Sequence, residues 1–216
     1  MTNPRRARDR LIYWAVWGSC FLPLPLLVYW GATDQLSADP IKEAIHYLGE
    51  WGLRLLAVTL AITPARKILG WGRLQQYRRT IGLFAFAYIA LHLTTYIAID
   101  QGFDWPHIWG DIVKRPYITF GMTGFLLLLP LAITSTNRMI RRLGARRWRS
   151  LHRLVYVAAP LGVLHYDLLV KRDASWPHFY AAIIGALLLY RLYEALRNGL
   201  ARRRAAGFGA TARSPG

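Results

Sequence analysis

Six long apolar runs leave few folds open to this chain. The runs cover about residues 11–30, 44–63, 80–99, 117–135, 151–169 and 177–196. Each run has roughly the 20 residues that an α-helix needs to cross a bilayer. Backbone polar groups inside lipid must be paired within their own segment, so runs of this kind form helices. The sequence therefore predicts an all-α integral membrane protein, a six-transmembrane-helix bundle with no room for a separate soluble domain.

The charged residues alternate between the loops and predict the orientation of the bundle. Basic residues are concentrated in 5–10, 66–79, 138–149 and 191–213, and acidic residues in 34–43, 100–111 and 167–173. Because basic loops stay on the cytoplasmic side, both termini should be cytoplasmic. We expect a basic N-terminus over 1–10, a transmembrane domain over 11–199 and a tail over 200–216. The net charge of +17 then reflects topology and attraction to anionic lipid rather than binding of nucleic acid.

The chain lacks the residues for redox chemistry of its own. Cys20 is its one cysteine, which excludes an intramolecular disulfide and a Cys-x-x-Cys redox or iron–sulfur motif. The sequence has no Gly-rich dinucleotide fingerprint and no P-loop. Any electron transfer must therefore use a bound cofactor.

Two histidines, His92 and His165, lie inside separate apolar runs, where an ionisable side chain is costly and usually functional. In the predicted topology both helices run outward, with His92 13 residues after Arg79 and His165 15 residues after Ser150. At about 1.5 Å per residue both histidines lie roughly 20 Å from the inner surface. Two imidazoles at one depth favour ligation of a haem iron from opposite sides, which suits electron transfer. The alternative is a pair of buried side chains that hydrogen-bond across the bundle.

His152 precedes His165 by 13 residues and lies near the inner end of the same run. It is a candidate ligand for a second, inner haem, or else a surface histidine in an arginine-rich segment. An ideal helix would not place it on the same face as His165, although Pro160 and Gly162 between them are able to bend the helix. Both interpretations remain open from the sequence.

Other residues in the runs have a structural explanation beside a functional one. Arg54 either pairs with Glu50 at i, i+4 or holds a haem propionate or a quinone oxygen. Gly121 and Gly124 are expected to permit close helix packing. The sequence shows no internal repeat, and we expect no carboxylate beside the two histidines at their depth.

Several segments, taken in order, resemble one family of membrane proteins. They are ADPIKEAIHYLGEWGLRLLAVTLAITPAR, RRTIGLFAFAYIALHLTTY, KRPYITFGMTGF, LAITSTNRMIRRLGARRWRSLHRLVYV and LHYDLLVK. Over roughly residues 11–200 the chain resembles the MsrQ family, the haem-binding membrane subunits of bacterial periplasmic methionine sulfoxide reductase systems. That family is part of the ferric-reductase-like transmembrane group.

The resemblance implies a multi-pass protein of the bacterial inner membrane that binds b-type haem, and FMN as a second cofactor. The family's haem histidines correspond to His92, His152 and His165. The implied acceptor of its electrons is a periplasmic molybdopterin methionine sulfoxide reductase that repairs oxidised proteins, and the implied donor is the quinone pool or a cytosolic flavin reductase. The chain itself would perform no methionine sulfoxide chemistry. Arg78 stands where larger oxidase relatives have a histidine, so the number of haems stays open.

Two other functions remain open. One is a cytochrome b subunit that serves another redox partner, of the hydrogenase or metal-ion reductase type. The other is a non-redox transporter that uses the intramembrane histidines as proton carriers, although such carriers often use membrane Asp or Glu as well. Zinc or copper in place of haem would need a third or fourth nitrogen or sulfur ligand, which the runs lack at this depth.

Overall fold

The computed structural model describes residues 4–170 and 174–211, and the side chains of 7–170 and 174–201. All regular structure in these residues is helical, in nine α-helices with short 3-10 and π segments. The α-helices are α1 (Pro4–Phe21), α2 (Pro23–Ala32), α3 (Pro40–Leu69), α4 (Arg78–Thr95), α5 (Trp105–Lys114), α6 (Pro116–Ile133), α7 (Asn137–Leu151), α8 (Val155–Leu169) and α9 (Ser175–Thr211). Apart from Leu22, Thr134 and Ser135, all residues of the apolar runs are helical, so the all-α prediction is confirmed.

Four helical segments among the described residues are long and apolar enough to cross a membrane. They are Ala7–Ala32, Arg78–Asp100, Pro116–Ile133 and Ser175–Ala201. Helix α3 has 30 residues but includes charged ones, and α8 has 15 residues, which at about 1.5 Å each do not reach across a hydrocarbon core. The membrane class is therefore supported, while six crossings and two cytoplasmic termini stay predictions.

Prolines and polar caps decide where the first helices begin and end. Pro23 has no N–H to bond into α1, and the first run is accordingly split at Leu22 into α1 and α2. The Asp39 carboxylate caps α3 by accepting a hydrogen bond from the Lys42 amide at 3.2 Å, with Pro40 in the first helical position.

The basic segment between the fourth and fifth runs is not an irregular loop but the amphipathic helix α7. Its arginines are exposed, whereas Met139, Ile140, Leu143 and Trp148 are half-buried. Gly144, with a φ of 73°, interrupts the helix by adopting the left-handed region. The pattern of loop charges conceals this helix because hydropathy alone treats a run of arginines as a connection.

The two ends of the chain also continue as helix. Helix α1 begins at Pro4, inside the predicted basic N-terminus, and α9 extends past residue 200 to Thr211. Part of the predicted charge pattern lies outside the described side chains, namely Arg5, Arg6, Asp173, Arg202, Arg203, Arg204 and Arg213. The domain boundaries of 1–10, 11–199 and 200–216 therefore stay predictions.

Pro64 interrupts the hydrogen-bond ladder of α3, and an arginine of α9 compensates for the interruption. Proline has no N–H to offer the carbonyl of Leu60, four residues earlier. The Nη2 of Arg191 donates to that carbonyl at 2.8 Å, and its Nη1 donates to the Tyr156 hydroxyl at 2.8 Å. One guanidinium therefore ties α3, α8 and α9 together.

Two pairs of helices form the frame of the bundle. Helix α3 packs along α4, and α6 packs along α8, while α4 also touches α6 and α3 also touches α8. The second helix of each pair carries one of the two intramembrane histidines, His92 on α4 and His165 on α8. The packing of these two pairs therefore determines whether the histidines meet.

Candidate functional site

The structure brings His92 and His165 together. The centroids of their imidazole rings lie 5.9 Å apart, and the ring planes are inclined by 83°. The two residues are 73 positions apart in the chain (165 minus 92), so only the packing of the two helix pairs makes them neighbours. The matched depth that the sequence predicts is consistent with this geometry.

Each imidazole is held by a hydrogen bond to a backbone carbonyl of the neighbouring helix. His92 Nδ1 lies 2.8 Å from the carbonyl oxygen of Ile45 on α3, and His165 Nδ1 lies 2.7 Å from that of Tyr117 on α6. Because a carbonyl oxygen can only accept, each Nδ1 carries the proton. The lone pair of each Nε2 is therefore available to a metal, in the orientation that metal-binding histidines commonly adopt.

Both histidines line a cavity of about 280 Å³. Its wall is largely apolar, formed by Leu53, Leu56, Ile89, Leu93, Phe125 and Leu128 among others. A pocket of this kind, apolar with a few oriented polar groups, is typical of a small-molecule or cofactor site.

Charged residues line one end of this cavity, at the beginning of α3 and around α5. The Asp111 carboxylate forms an ion pair with Arg115 Nε at 3.0 Å and accepts a hydrogen bond from the Tyr96 hydroxyl at 3.1 Å. Lys42 Nζ lies 2.5 Å from Asp39, and its hydrogen bond lowers the pKa of that carboxyl group. The side chains of Lys42 and Arg115 remain 68% and 50% exposed, so both cations are accessible to an anionic group at this end.

The separation of the two imidazole rings is compatible with one metal ion between them. With metal–nitrogen bonds of about 2 Å, an ion shared by both Nε2 atoms separates the ring centroids by roughly 6 Å, and the observed separation is 5.9 Å. The inclined planes are compatible with this, because each ring can rotate about its metal–nitrogen bond. No group of three His, Cys, Asp or Glu side chains able to hold a metal occurs in the described part of the chain.

The expectation that no carboxylate lies beside the histidines is wrong, because Glu50 lines the same cavity. Its carboxylate accepts from Arg54 Nη2 at 2.5 Å and from the Tyr166 hydroxyl at 2.8 Å. Arg54 Nε donates to the Tyr180 hydroxyl at 2.9 Å. Arg54 thus forms the i, i+4 pair that its spacing suggests. Its Nη2 and Nε both donate to protein groups, Glu50 and Tyr180. The sequence signal for Glu50 was present, since it lies within the second apolar run.

His152 does not join the other two histidines. It lies in the 3-10 segment His152–Leu154 before α8, where its ring lies on Trp148 with centroids 3.9 Å apart. Its Nε2 is 3.2 Å from the Thr134 hydroxyl, and it is absent from the cavity wall. The structure therefore separates His152 from the site formed by His92 and His165.

Comparison with known proteins agrees with this architecture. The model of a family described as "Ferric reductase like transmembrane component" matches residues 48–163, which include His92 and end two residues before His165. The chain is 55% identical over 195 residues to the protein-methionine-sulfoxide reductase heme-binding subunit MsrQ of Caulobacter vibrioides, covering 90% of this chain and 93% of the relative. It is 55% identical over 193 residues to the protein of that name from Rhodospirillum rubrum, with coverages of 88% and 91%. For the Brucella ovis protein the identity is 49% over 190 residues, with coverages of 88% and 84%.

Proposed function

This chain belongs to the ferric-reductase-like transmembrane family and, within it, to the MsrQ heme-binding subunits, and from this premise we propose that it is a membrane b-type cytochrome. It passes electrons to a methionine sulfoxide reductase partner. The observation that carries the proposal is the pair of imidazoles, His92 and His165, which line one apolar cavity with both Nδ1 atoms bonded to backbone carbonyls.

The residues of the cavity suit a haem group. His92 and His165 would hold its iron through their Nε2 atoms. The apolar wall excludes water from the macrocycle, while Lys42 and Arg115 at the charged end are suited to its propionate groups. A haem iron held by two imidazoles, when bound, alternates between ferric and ferrous states and so carries one electron at a time.

The protein residues supply binding and orientation rather than chemistry on methionine. The Nδ1 hydrogen bonds fix the tautomer of each imidazole and raise its basicity as a ligand. The Glu50–Arg54 pair keeps two opposite charges together beside the cavity, which limits the cost of their burial. With His92 and His165 both holding the iron, the bound group would suit electron transfer better than chemistry on a substrate.

The loop charges and the resemblance to the MsrQ family support one direction of electron flow and one set of partners. We propose location in the bacterial inner membrane with both termini cytoplasmic. Electrons enter from the quinone pool or a cytosolic flavin reductase and leave to a periplasmic molybdopterin methionine sulfoxide reductase that docks on the acidic outer loops. FMN and a second haem on His152 stay predictions from the resemblance, and Trp148 and Thr134 are the groups found beside His152.

The proposal is tested by the haem-to-protein ratio and optical spectra of the purified wild type and of His92→Ala, His165→Ala and His152→Ala. A low-spin b-type spectrum in the wild type, lost in the first two variants, is expected. If His165→Ala leaves the spectrum unchanged, the ligand pair is wrong, and a wild type without a Soret band would favour the transporter. Oxidation of the reduced protein by purified candidate partners distinguishes a methionine sulfoxide reductase from a hydrogenase or metal-ion reductase.

A further inference from the structure

The two imidazoles sit in the same local arrangement, built twice by different helices. On α3, the carbonyl that binds His92 belongs to Ile45, and Gly49 follows four residues later. A Cβ atom added at Gly49 would lie 3.0 Å from His92 Nδ1 and 3.3 Å from its Cε1. The absence of a side chain at Gly49 thus makes room for the His92 ring beside the Ile45 carbonyl that it bonds.

The second arrangement repeats the first on α6 and α8. The carbonyl that binds His165 belongs to Tyr117, and Gly121 again follows four residues later. A Cβ atom at Gly121 would lie 2.7 Å from His165 Nδ1 and 3.1 Å from its Cε1. The contact is closer than at Gly49 and shorter than Cβ atoms in proteins essentially ever show.

A second glycine, three residues after the first, extends the correspondence along the helices. A Cβ atom at Gly52 would meet the backbone of Ile89 at 3.3 Å and of Ala85 at 3.5 Å, and one at Gly124 would meet the backbone of Ala158 at 3.6 Å. Ala85 and Ala158 each lie seven residues before the histidine of their own helix. The segments GEWG on α3 and GMTG on α6 therefore play the same part in their helix pairs.

From these contacts we infer that α3–α4 and α6–α8 are two structural repeats, and that Gly49 and Gly121 are positioning residues, each seating one imidazole for the iron. This inference rests on the proposed function. The sequence itself shows no internal repeat, and the correspondence lies in the contacts that Gly49 and Gly121 make with the two imidazoles.

The two glycines position the imidazoles because neither ring is free to move away from an added side chain. Its Nδ1 is tied to the carbonyl and its Nε2 must point into the cavity, so both ends of the imidazole are constrained. A methyl group at Gly121 forces the ring to leave the Tyr117 carbonyl or to turn its Nε2 from the iron. The same change at Gly49 has the same effect in weaker form, because the added atom meets the ring at 3.0 Å rather than 2.7 Å.

The test compares Gly121→Ala and Gly49→Ala with the control Gly185→Ala on α9, where an added Cβ meets nothing within 4 Å. Electron paramagnetic resonance and optical spectra of the purified, haem-loaded proteins report ligand geometry, and circular dichroism reports helix content. We expect Gly121→Ala to lose most of the low-spin signal, Gly49→Ala to lose less or to shift it, and Gly185→Ala to match the wild type. A normal low-spin signal in Gly121→Ala at full haem content overturns the inference.

A second measurement covers the case in which Gly121→Ala does not fold. In a His165→Ala background the imidazole is gone, so the methyl group of Gly121→Ala has room, and the yield of monodisperse protein should recover to that of His165→Ala alone. Continued failure to fold in the double variant overturns the inference. This comparison needs no haem. It therefore still tests whether Gly121 makes room for the His165 ring if a wild type without a Soret band refutes the proposed function.

Discussion

Replacing Arg191 by Met tests how the interruption at Pro64 is stabilised. The variant removes the guanidinium that donates to the Leu60 carbonyl and to the Tyr156 hydroxyl. Leu60 is fully buried, with 0% of its surface exposed, so water cannot replace the lost donor at its carbonyl. In a Pro64→Ala background the result should differ, because the substituted alanine supplies the backbone N–H that an ordinary α-helix offers to the carbonyl of Leu60.

The magnitude follows from the two bonds. A buried carbonyl left without a partner costs about 1–3 kcal/mol, and an interhelical hydrogen bond in a membrane protein contributes about 0.6 kcal/mol on average. We expect Arg191→Met to lower the free energy of unfolding by about 2 kcal/mol in the wild type. With Pro64→Ala present, the Leu60 carbonyl keeps a backbone partner, so the loss should be close to that of one interhelical hydrogen bond, about 0.6 kcal/mol. Arg191→Met also removes the free-energy cost of burying the guanidinium charge. This contribution is the same in both backgrounds, so it cancels in the comparison.

The assay is unfolding of the detergent-solubilised protein by increasing SDS, followed by circular dichroism, for the four members of this double-mutant cycle. A coupling of about 1–2 kcal/mol between Arg191 and Pro64 is expected. Tyr156→Phe serves as the control, since its effect should add to that of Pro64→Ala. An equal cost of Arg191→Met in both backgrounds would refute the idea that the guanidinium serves the freed carbonyl.

Three further predictions concern the site and its surroundings. Glu50→Gln leaves the Arg54 charge unopposed beside the cavity and should raise the reduction potential of bound haem, whereas Arg54→Gln should lower it. Each shift should be on the order of 59 mV, a tenfold change in the ferric-to-ferrous ratio, and shifts of the same sign in a redox titration would contradict the electrostatic role. His152→Ala should leave the spectrum of the haem on the two cavity histidines unchanged, because its ring lies outside the cavity, and loss of that spectrum would count against the separation. Since the hydrogen bond from Lys42 lowers the pKa of Asp39, the Asp39 cap stabilises α3 above the ordinary carboxyl range at about pH 4 and loses this effect as the pH falls through the lowered value. Asp39→Asn should remove that pH dependence from thermal unfolding, and an unchanged profile would assign it to another group.

The sequence predicted the helices better than the connections between them. The apolar runs become α1 to α4, α6, α8 and α9 because apolar length is a local property of each segment. Helix α7 escaped prediction because hydropathy alone treats its arginines as a loop, although the spacing of Met139, Ile140 and Leu143 at i, i+1 and i+4 was a local signal of an amphipathic helix. The split at Leu22, by contrast, could have been predicted from Pro23.

The site shows the same division. His92 and His165 were identifiable because a polar side chain in an apolar run is expensive wherever it occurs. Glu50 is also a polar side chain in such a run, but its i, i+4 spacing to Arg54 offered a sufficient local explanation. Its position on the cavity wall with His165, and its bond to Tyr166 on α8, depend on the packing of α3 against α8.

By itself the sequence determined the helical class of this protein and the two histidines worth examining, because hydropathy, helix length and the cost of a buried imidazole are properties of single segments. The tertiary structure alone decided which groups hold those imidazoles. The partners of His92 and His165 are backbone carbonyls, which every residue has, and glycines, which offer only the absence of a side chain. These carbonyls and glycines acquire their role only because helices far apart in the chain approach closely. The same packing creates the matching arrangement around the two imidazoles.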